Sequence, residues 1–139
     1  MYYLKTSACF ESAHFLHGYK GKCANIHGHH WVAEVKISGG KLQVSGENRG
    51  MLLDFGDFKK AVKELAEGFD HTLIYEKNTL KPATVAALKE EGFSLVETDF
   101  RPTAENFAEY IYAELCKKGL PVLSVKVYES PENCAVYSE

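Results

Sequence analysis

Three histidines and a cysteine near the N-terminus carry the densest chemistry in this chain. His14 closes the run Phe10-Glu-Ser-Ala-His14, and His27 and His29 bracket a glycine in Cys23-Ala-Asn-Ile-His27-Gly-His29. In an extended chain, successive side chains point to opposite faces. Leu4, Thr6, Ala8, Phe10, Ser12 and His14 then share one face of a first strand, and His27, His29, Trp31, Ala33, Val35 and Ile37 share one face of a second. All three histidines fall on the apolar faces, where an unpartnered imidazole is expensive to bury. For any one of them, a hydrogen bond to a neighbour is the ordinary explanation. An i, i+2 pair joined by a third histidine of matching parity points instead to a metal. Three imidazoles with one position left open make the donor set of a catalytic zinc, whereas structural zinc is usually closed by four protein ligands. His17 and His30 lack the inward parity and read as surface or rim residues.

Three further positions could act beside that ion. Cys23 lies in a polar loop four residues before His27. A nearby cation would favour its thiolate and make it a base, or the sulfur could close the metal site as a fourth ligand. Asp70-His71 is either a helix end or a carboxylate that orients an imidazole for acid–base work. Glu129 falls on the apolar parity of Leu123, Val125 and Val127. It caps a turn, pairs with a lysine or lies beyond the strand end; or it accepts two adjacent N–H donors from a ligand.

The elements that must position these residues follow from patterning. Residues 2–14 and about 28–38 read as strands, separated by a Gly/Lys/Asn loop over 17–26. An extended stretch is expected between Gly39-Gly40 and the Gly46–Gly50 segment. Asp54 and Asp57 supply capping groups for a helix over roughly 57–67, with Phe58, Val62, Leu65, Ala66 and Phe69 at helical spacing and closure near Gly68. A second helix is expected near 82–91, ending at Gly92, and residues 94–100 read as extended. Thr103 is the N-cap of a third helix, whose stripe is Phe107, Ala108, Ile111 and Leu115 and which Gly119 stops. Two strands, 122–129 and 134–138, close the chain around a Ser130-Pro-Glu-Asn133 turn. Strands paired early and late with helices between them predict an antiparallel α+β sandwich rather than alternating βαβ units. A small sheet with helices on one face leaves its other face and its edges uncovered, so an oligomer is expected.

Composition narrows the function classes. The 139 residues suit a single domain, 1–139, with a real core. A net charge of −3 without a long Lys/Arg run argues against nucleic-acid binding. No apolar stretch approaches the ~20 residues that span a bilayer, and no signal-peptide pattern opens the chain. Four scattered cysteines without a Cys-x-x-Cys pair fit a reduced, cytoplasmic protein.

The motifs together resemble the 6-pyruvoyltetrahydropterin synthase / 6-carboxytetrahydropterin synthase family. The matching pieces are Phe10-Glu-Ser-Ala-His14, Cys23-x-x-x-His27-Gly-His29, Met51-Leu-Leu-Asp54-Phe, Phe69-Asp70-His71, Pro102-Thr-Ala-Glu-Asn106 and the Glu129 strand, in family order. The three-residue gap between Cys23 and His27 resembles the bacterial carboxytetrahydropterin branch, which serves queuosine synthesis. The resemblance implies zinc on His14, His27 and His29, Cys23 as general base, and Asp70-His71 completing a proton relay. It also implies that Glu129 grips the pterin edge and that Thr103 contacts substrate. The fold implied is the tunnelling fold: an antiparallel four-stranded sheet with helices on one face, trimers closing a barrel, and two trimers forming a hexamer with sites between subunits. The implied substrate is 7,8-dihydroneopterin triphosphate, with no redox cofactor. The sequence departs from the family at His30-Trp31, at Ile74-Tyr75 and in a longer 78–100 segment. Two rivals stand beside this reading: pyruvoyltetrahydropterin synthase chemistry, and a non-catalytic, zinc-stabilised binding module.

Overall fold

The computed structural model describes residues 1–139. Two long strands dominate it, β1 (Tyr2–His14) and β2 (His27–Gly39). They pair antiparallel along their whole length, from Tyr2 opposite Gly39 to His14 opposite His27. One face of this ribbon is apolar. Phe10, Trp31, Ala33, Val35 and Ile37 are each at most 1% exposed, which is the alternation expected of a sheet packed on one side.

That face is covered by α1 (Phe55–Phe69) and α3 (Ala104–Lys117). Asp54 caps α1, its carboxylate accepting from the backbone N–H groups of Gly56 and Asp57. Thr103 caps α3 by accepting from Asn106 N. Phe58, Val62, Ala66 and Phe69 of α1, with Phe107, Ala108, Ile111 and Leu115 of α3, join the strand residues in one core. Burying each large side chain is worth roughly 1.5–3 kcal/mol. The ion pairs on the other face, such as Lys5–Glu34 at 3.1 Å, are exposed and worth about 0.2–1 kcal/mol each. The core holds the sheet.

The sheet has six strands, not four, in the order β4-β3-β1-β2-β5-β6. The strands β5 (Val122–Tyr128) and β6 (Cys134–Tyr137) extend the antiparallel half. On the other side, β3 (Thr72–Glu76) pairs parallel to β1, and β4 (Leu95–Thr98) parallel to β3. The connection β3–α2–β4, with α2 spanning Pro82–Glu90, is therefore a βαβ unit, which corrects the purely antiparallel expectation. Parallel neighbours require such a crossover. Helices also occupy both faces. Leu88 and Phe93 line a cavity with Leu73 and Leu95, which point away from the face that buries Ile74.

Two local expectations also change. Residues 41–44 form no strand, being folded back by Gln43 N to Met51 O (3.0 Å) and Gly50 N to Gln43 O (2.8 Å). Gly68 does not close α1 but lies inside it, and Asp70 is the C-cap. The left-handed turn that glycine usually supplies is taken by His71, at φ 55°.

Candidate metal centre and proton-relay residues

The β1–β2 pairing brings His14, His27 and His29 to one end of the ribbon, with one ring nitrogen of each inside a cluster no wider than 4.8 Å. The surroundings fix which nitrogen faces inward. His14 Nδ1 donates to the carbonyl of Pro102 at 2.6 Å, and His27 Nδ1 donates to that of Asn25 at 2.7 Å. A carbonyl only accepts, so each Nδ1 carries the proton and each Nε2 presents a lone pair. Backbone carbonyls commonly orient metal-bound imidazoles in this way. The two Nε2 atoms stand 3.1 Å apart. Two lone pairs face to face repel, whereas two ligands on a tetrahedral zinc at 2.0–2.1 Å would sit about 3.4 Å apart. His29 Nε2 is buried with no hydrogen-bond partner. The residues fit a metal ion.

Electrostatics agrees with the geometry. Burial pulls the His14 imidazole down to about 4, the Pro102 carbonyl opposing and the neighbouring His27 and His29 adding to the drop. Burial also lowers His29, against the pull of the Glu129 carboxylate. Neutral imidazoles are the form a metal needs.

Cys23 sits in a single 3₁₀ turn, Lys22–Ala24, half-buried. Its sulfur lies outside the triad cluster, so in this geometry the fourth position is not taken by thiolate. Its carbonyl accepts from Leu16 N at 2.8 Å, closing the loop between the two long strands.

Glu129 lies one residue past β5, so the strand is shorter than expected. It is not free in solvent, however: its side chain is 35% exposed, with Oε1 3.5 Å from His29 Nε2. Both residues line a cavity of about 580 Å³ together with His30, Val32, Tyr128 and Pro131. Thr103, the cap of α3, follows directly on the carbonyl that holds His14.

Asp70 and His71 are joined but stand apart from the triad. Asp70 Oδ1 accepts from Glu11 N at 2.8 Å, and Asp70 Oδ2 accepts from His71 Nδ1 at 2.8 Å. The Glu11 N–H, and after it the His71 ring, hold the Asp70 carboxyl below the usual carboxylate range. His71 N also donates to Glu11 O, and these bonds hold a non-glycine residue in the left-handed region. Such outliers gather at functional sites. The His71 side chain is 80% exposed. It lines a cavity of about 670 Å³ with Glu11, Ala13, His30 and Leu73, residues of the parity opposite to the triad, and the same cavity reaches Ser12 and the triad's His29. His71 thus stands toward the side of the sheet opposite to His14, and of the triad only His29 borders its cavity.

Sequence reasoning missed several supporting groups. Ser12 Oγ and Trp31 Nε1 are buried without partners beside the triad, and Ser12 faces His29 across the ladder. The Trp31 ring packs edge-on against His14 at 5.0 Å and His29 at 5.2 Å. Their shared parity with the histidines was the available signal. His30, read as a surface residue, is exposed but bonded to the Glu11 carboxylate. The Pro102 carbonyl had no sequence signal, because its contact with His14 spans 88 positions.

A sheet-borne cluster of three imidazoles, their ligand atoms within 4.8 Å of one another, defines an α+β protein whose residues could hold a metal ion. Comparison with known proteins narrows that class. A family model described as 6-pyruvoyl tetrahydropterin synthase matches residues 3–139; the chain belongs to this family. A 6-carboxy-5,6,7,8-tetrahydropterin synthase from Haemophilus influenzae is 33% identical over 142 residues, covering all of both chains. One of the same description from Rickettsia typhi is 33% identical over 133 residues, with 91% of this chain and 92% of that protein covered. Among solved structures, an uncharacterized protein from Wolinella succinogenes aligns with a TM-score of 0.78 at 20% identity, over 99% of this chain and 98% of that one. A Caenorhabditis elegans 6-pyruvoyl tetrahydropterin synthase aligns with a TM-score of 0.67 at 24% identity, over 99% and 95%. These structures share the fold, a curled sheet packed by helices. No helix is long and apolar enough to cross a membrane.

Proposed function

We propose that this chain is a zinc-dependent lyase that converts 7,8-dihydroneopterin triphosphate and one water to 6-carboxy-5,6,7,8-tetrahydropterin, releasing acetaldehyde and triphosphate. The observation that carries the reading is the His14–His27–His29 cluster, with two rings oriented by carbonyls and His29 Nε2 buried without a hydrogen bond, 3.5 Å from the Glu129 carboxylate. Full-length similarity to 6-carboxytetrahydropterin synthases supports the choice of substrate and product. Zinc, when bound there, would act as a Lewis acid toward the hydroxyls of the substrate side chain.

The chain's own groups would do the rest. Cys23 takes a proton from a side-chain carbon. His71, oriented by Asp70, exchanges protons at the opposite side of the same carbons. Glu129 accepts N–H donors from the pyrimidine edge of the pterin in the cavity beside His29. The Thr103 hydroxyl, whose oxygen already accepts from Asn106 N, keeps a proton to donate to the ring. Electrons for reducing the ring come from the side chain, so no redox cofactor is required.

Because His71 stands toward the side of the sheet opposite to His14, with only His29 of the triad on its cavity, each complete site would draw its relay from a neighbouring copy. This fits a trimeric barrel doubled into a hexamer. The protein would work in the cytoplasm, in queuosine synthesis. Incubation with dihydroneopterin triphosphate and mass identification of products tests the reading. Acetaldehyde and a carboxylated tetrahydropterin are expected; a product that keeps the three-carbon side chain would assign pyruvoyltetrahydropterin synthase chemistry instead. No product at all, from zinc-loaded protein that melts on chelation, would leave a structural binding module.

A further inference from the structure

We propose that Arg101 is a positioning residue that fastens the Cys23 loop to the metal-binding end of the sheet. The inference rests on the reading of Cys23 as the proton-moving thiol. Arg101, Pro102 and Thr103 form the short bridge into α3, and they are hydrogen-bonded in three directions. The Pro102 carbonyl receives His14 Nδ1–H at 2.6 Å. The Arg101 guanidinium, through Nη2, donates to the carbonyl of His17 at 3.1 Å. The Arg101 carbonyl accepts from Asn106 Nδ2 at 2.9 Å and from Thr103 N at 2.8 Å. Helix α3 thus anchors a bridge of which one residue sets a metal ligand and the residue before it grips the loop.

The loop needs that grip. Residues 16–24 are closed by Leu16 N to Cys23 O at 2.8 Å and by turn bonds such as Tyr19 N to Leu16 O at 3.2 Å. The Arg101 contact alone joins this stretch by a hydrogen bond to a distant part of the chain, 84 positions away. His17 is followed by Gly18 in the left-handed region, at φ 75°, and by Tyr19 and Lys20, both exposed. Nothing polar from the rest of the chain holds them. A guanidinium suits the task, because it is always charged and its rigid fork gives up little freedom per bond formed. A misplacement of about 1 Å at a reacting group can cost on the order of a hundredfold in rate, so a brace remote from the chemistry matters through the loop it steadies.

The test compares R101M, which keeps the apolar stem and loses the donors, with R101K, which keeps one donor, and with C23A. Should R101M not fold, R101Q replaces it. Turnover of dihydroneopterin triphosphate, zinc per chain, and the alkylation rate of the Cys23 peptide under iodoacetamide are measured for each. R101M should lower kcat on the order of tenfold, the size of one hydrogen bond to a charged group, with KM within about twofold of wild type. Its zinc content should hold, its Cys23 alkylation rate should change at least about threefold as the loop loosens, and R101K should recover most of the loss. Wild-type kcat and alkylation in R101M would overturn the proposal. So would loss of zinc with unchanged alkylation, which would tie Arg101 to His14 alone. C23A separates the two readings. Full turnover in C23A sinks the thiol assignment while the alkylation result still judges the brace; a dead C23A beside a normal R101M sinks only the brace.

Discussion

The two faces of the sheet treat their histidines in opposite ways. On the face covered by α1 and α3, His14 is 1% exposed, its Nδ1 tied to a backbone carbonyl and its neighbours aromatic. On the far face, the His71 side chain is 80% exposed, held through Asp70 and its own backbone to a single strand residue, Glu11. The first arrangement is built within one chain: backbone carbonyls fix two of the rings, and the three ligand atoms converge closely enough to hold a metal ion. The second orients one imidazole through a carboxylate and leaves it open to solvent. On the function proposed above, the metal site is then a product of the fold and the relay a product of the assembly.

The sharpest way to break this comparison is to remove a triad member. His27→Ala should release metal and abolish turnover together, with the fold retained if the metal is catalytic. Metal analysis, activity and circular dichroism on one sample check this. An effect nearly as large is expected from paired inactive variants. Cys23→Ala and His71→Ala should each lower turnover by about 10²–10⁴ while keeping zinc. Refolding the two together should restore activity to a fraction of the mixed oligomers if sites are shared between copies. Mixtures as dead as the parents would place both groups in one chain's site.

Smaller effects sharpen the picture. Glu129→Gln should weaken pterin binding by about 1–3 kcal/mol, since it replaces a charged acceptor and leaves donors mismatched. Calorimetry with a non-reacting pterin measures it, and unchanged affinity would leave Glu129 as a partner of His29 only. The mildest prediction concerns pH in metal-free protein. His14 titrates near 4 when folded against 6.5 unexposed to the fold's burial, so the unfolded chain binds more protons between those values. Stability should be full above about 6.5 and decline as pH falls toward about 4, with His29 shifted the same way. Melting curves in chelator should show this slope, and His14→Gln should flatten it.

Much of the fold was legible because long patterns leave little freedom. Thirteen alternating residues in β1 fixed both its span and the inward parity of His14. The caps Asp54 and Thr103 announced α1 and α3 chemically. The short parallel strands were harder. Thr72–Glu76 is rich in strand-forming residues but only five long, so alternation carried no signal there, whereas its partner Leu95–Thr98 falls in the stretch that reads as extended; the four-stranded count came from the family resemblance. Gly68 misled because glycine is the usual helix stop, whereas contacts from β1 hold His71 in that conformation. The triad was readable from parity alone. Its supports were not, because the Pro102 carbonyl and the Arg101 guanidinium act across 88 and 84 positions of the chain.

X-ray absorption at the zinc edge on freshly purified protein tests the central claim most directly. One zinc per chain is expected, with three nitrogen scatterers at 2.0–2.1 Å and an oxygen completing the shell. A shell containing sulfur at about 2.3 Å, or protein that binds no metal at all, would contradict it.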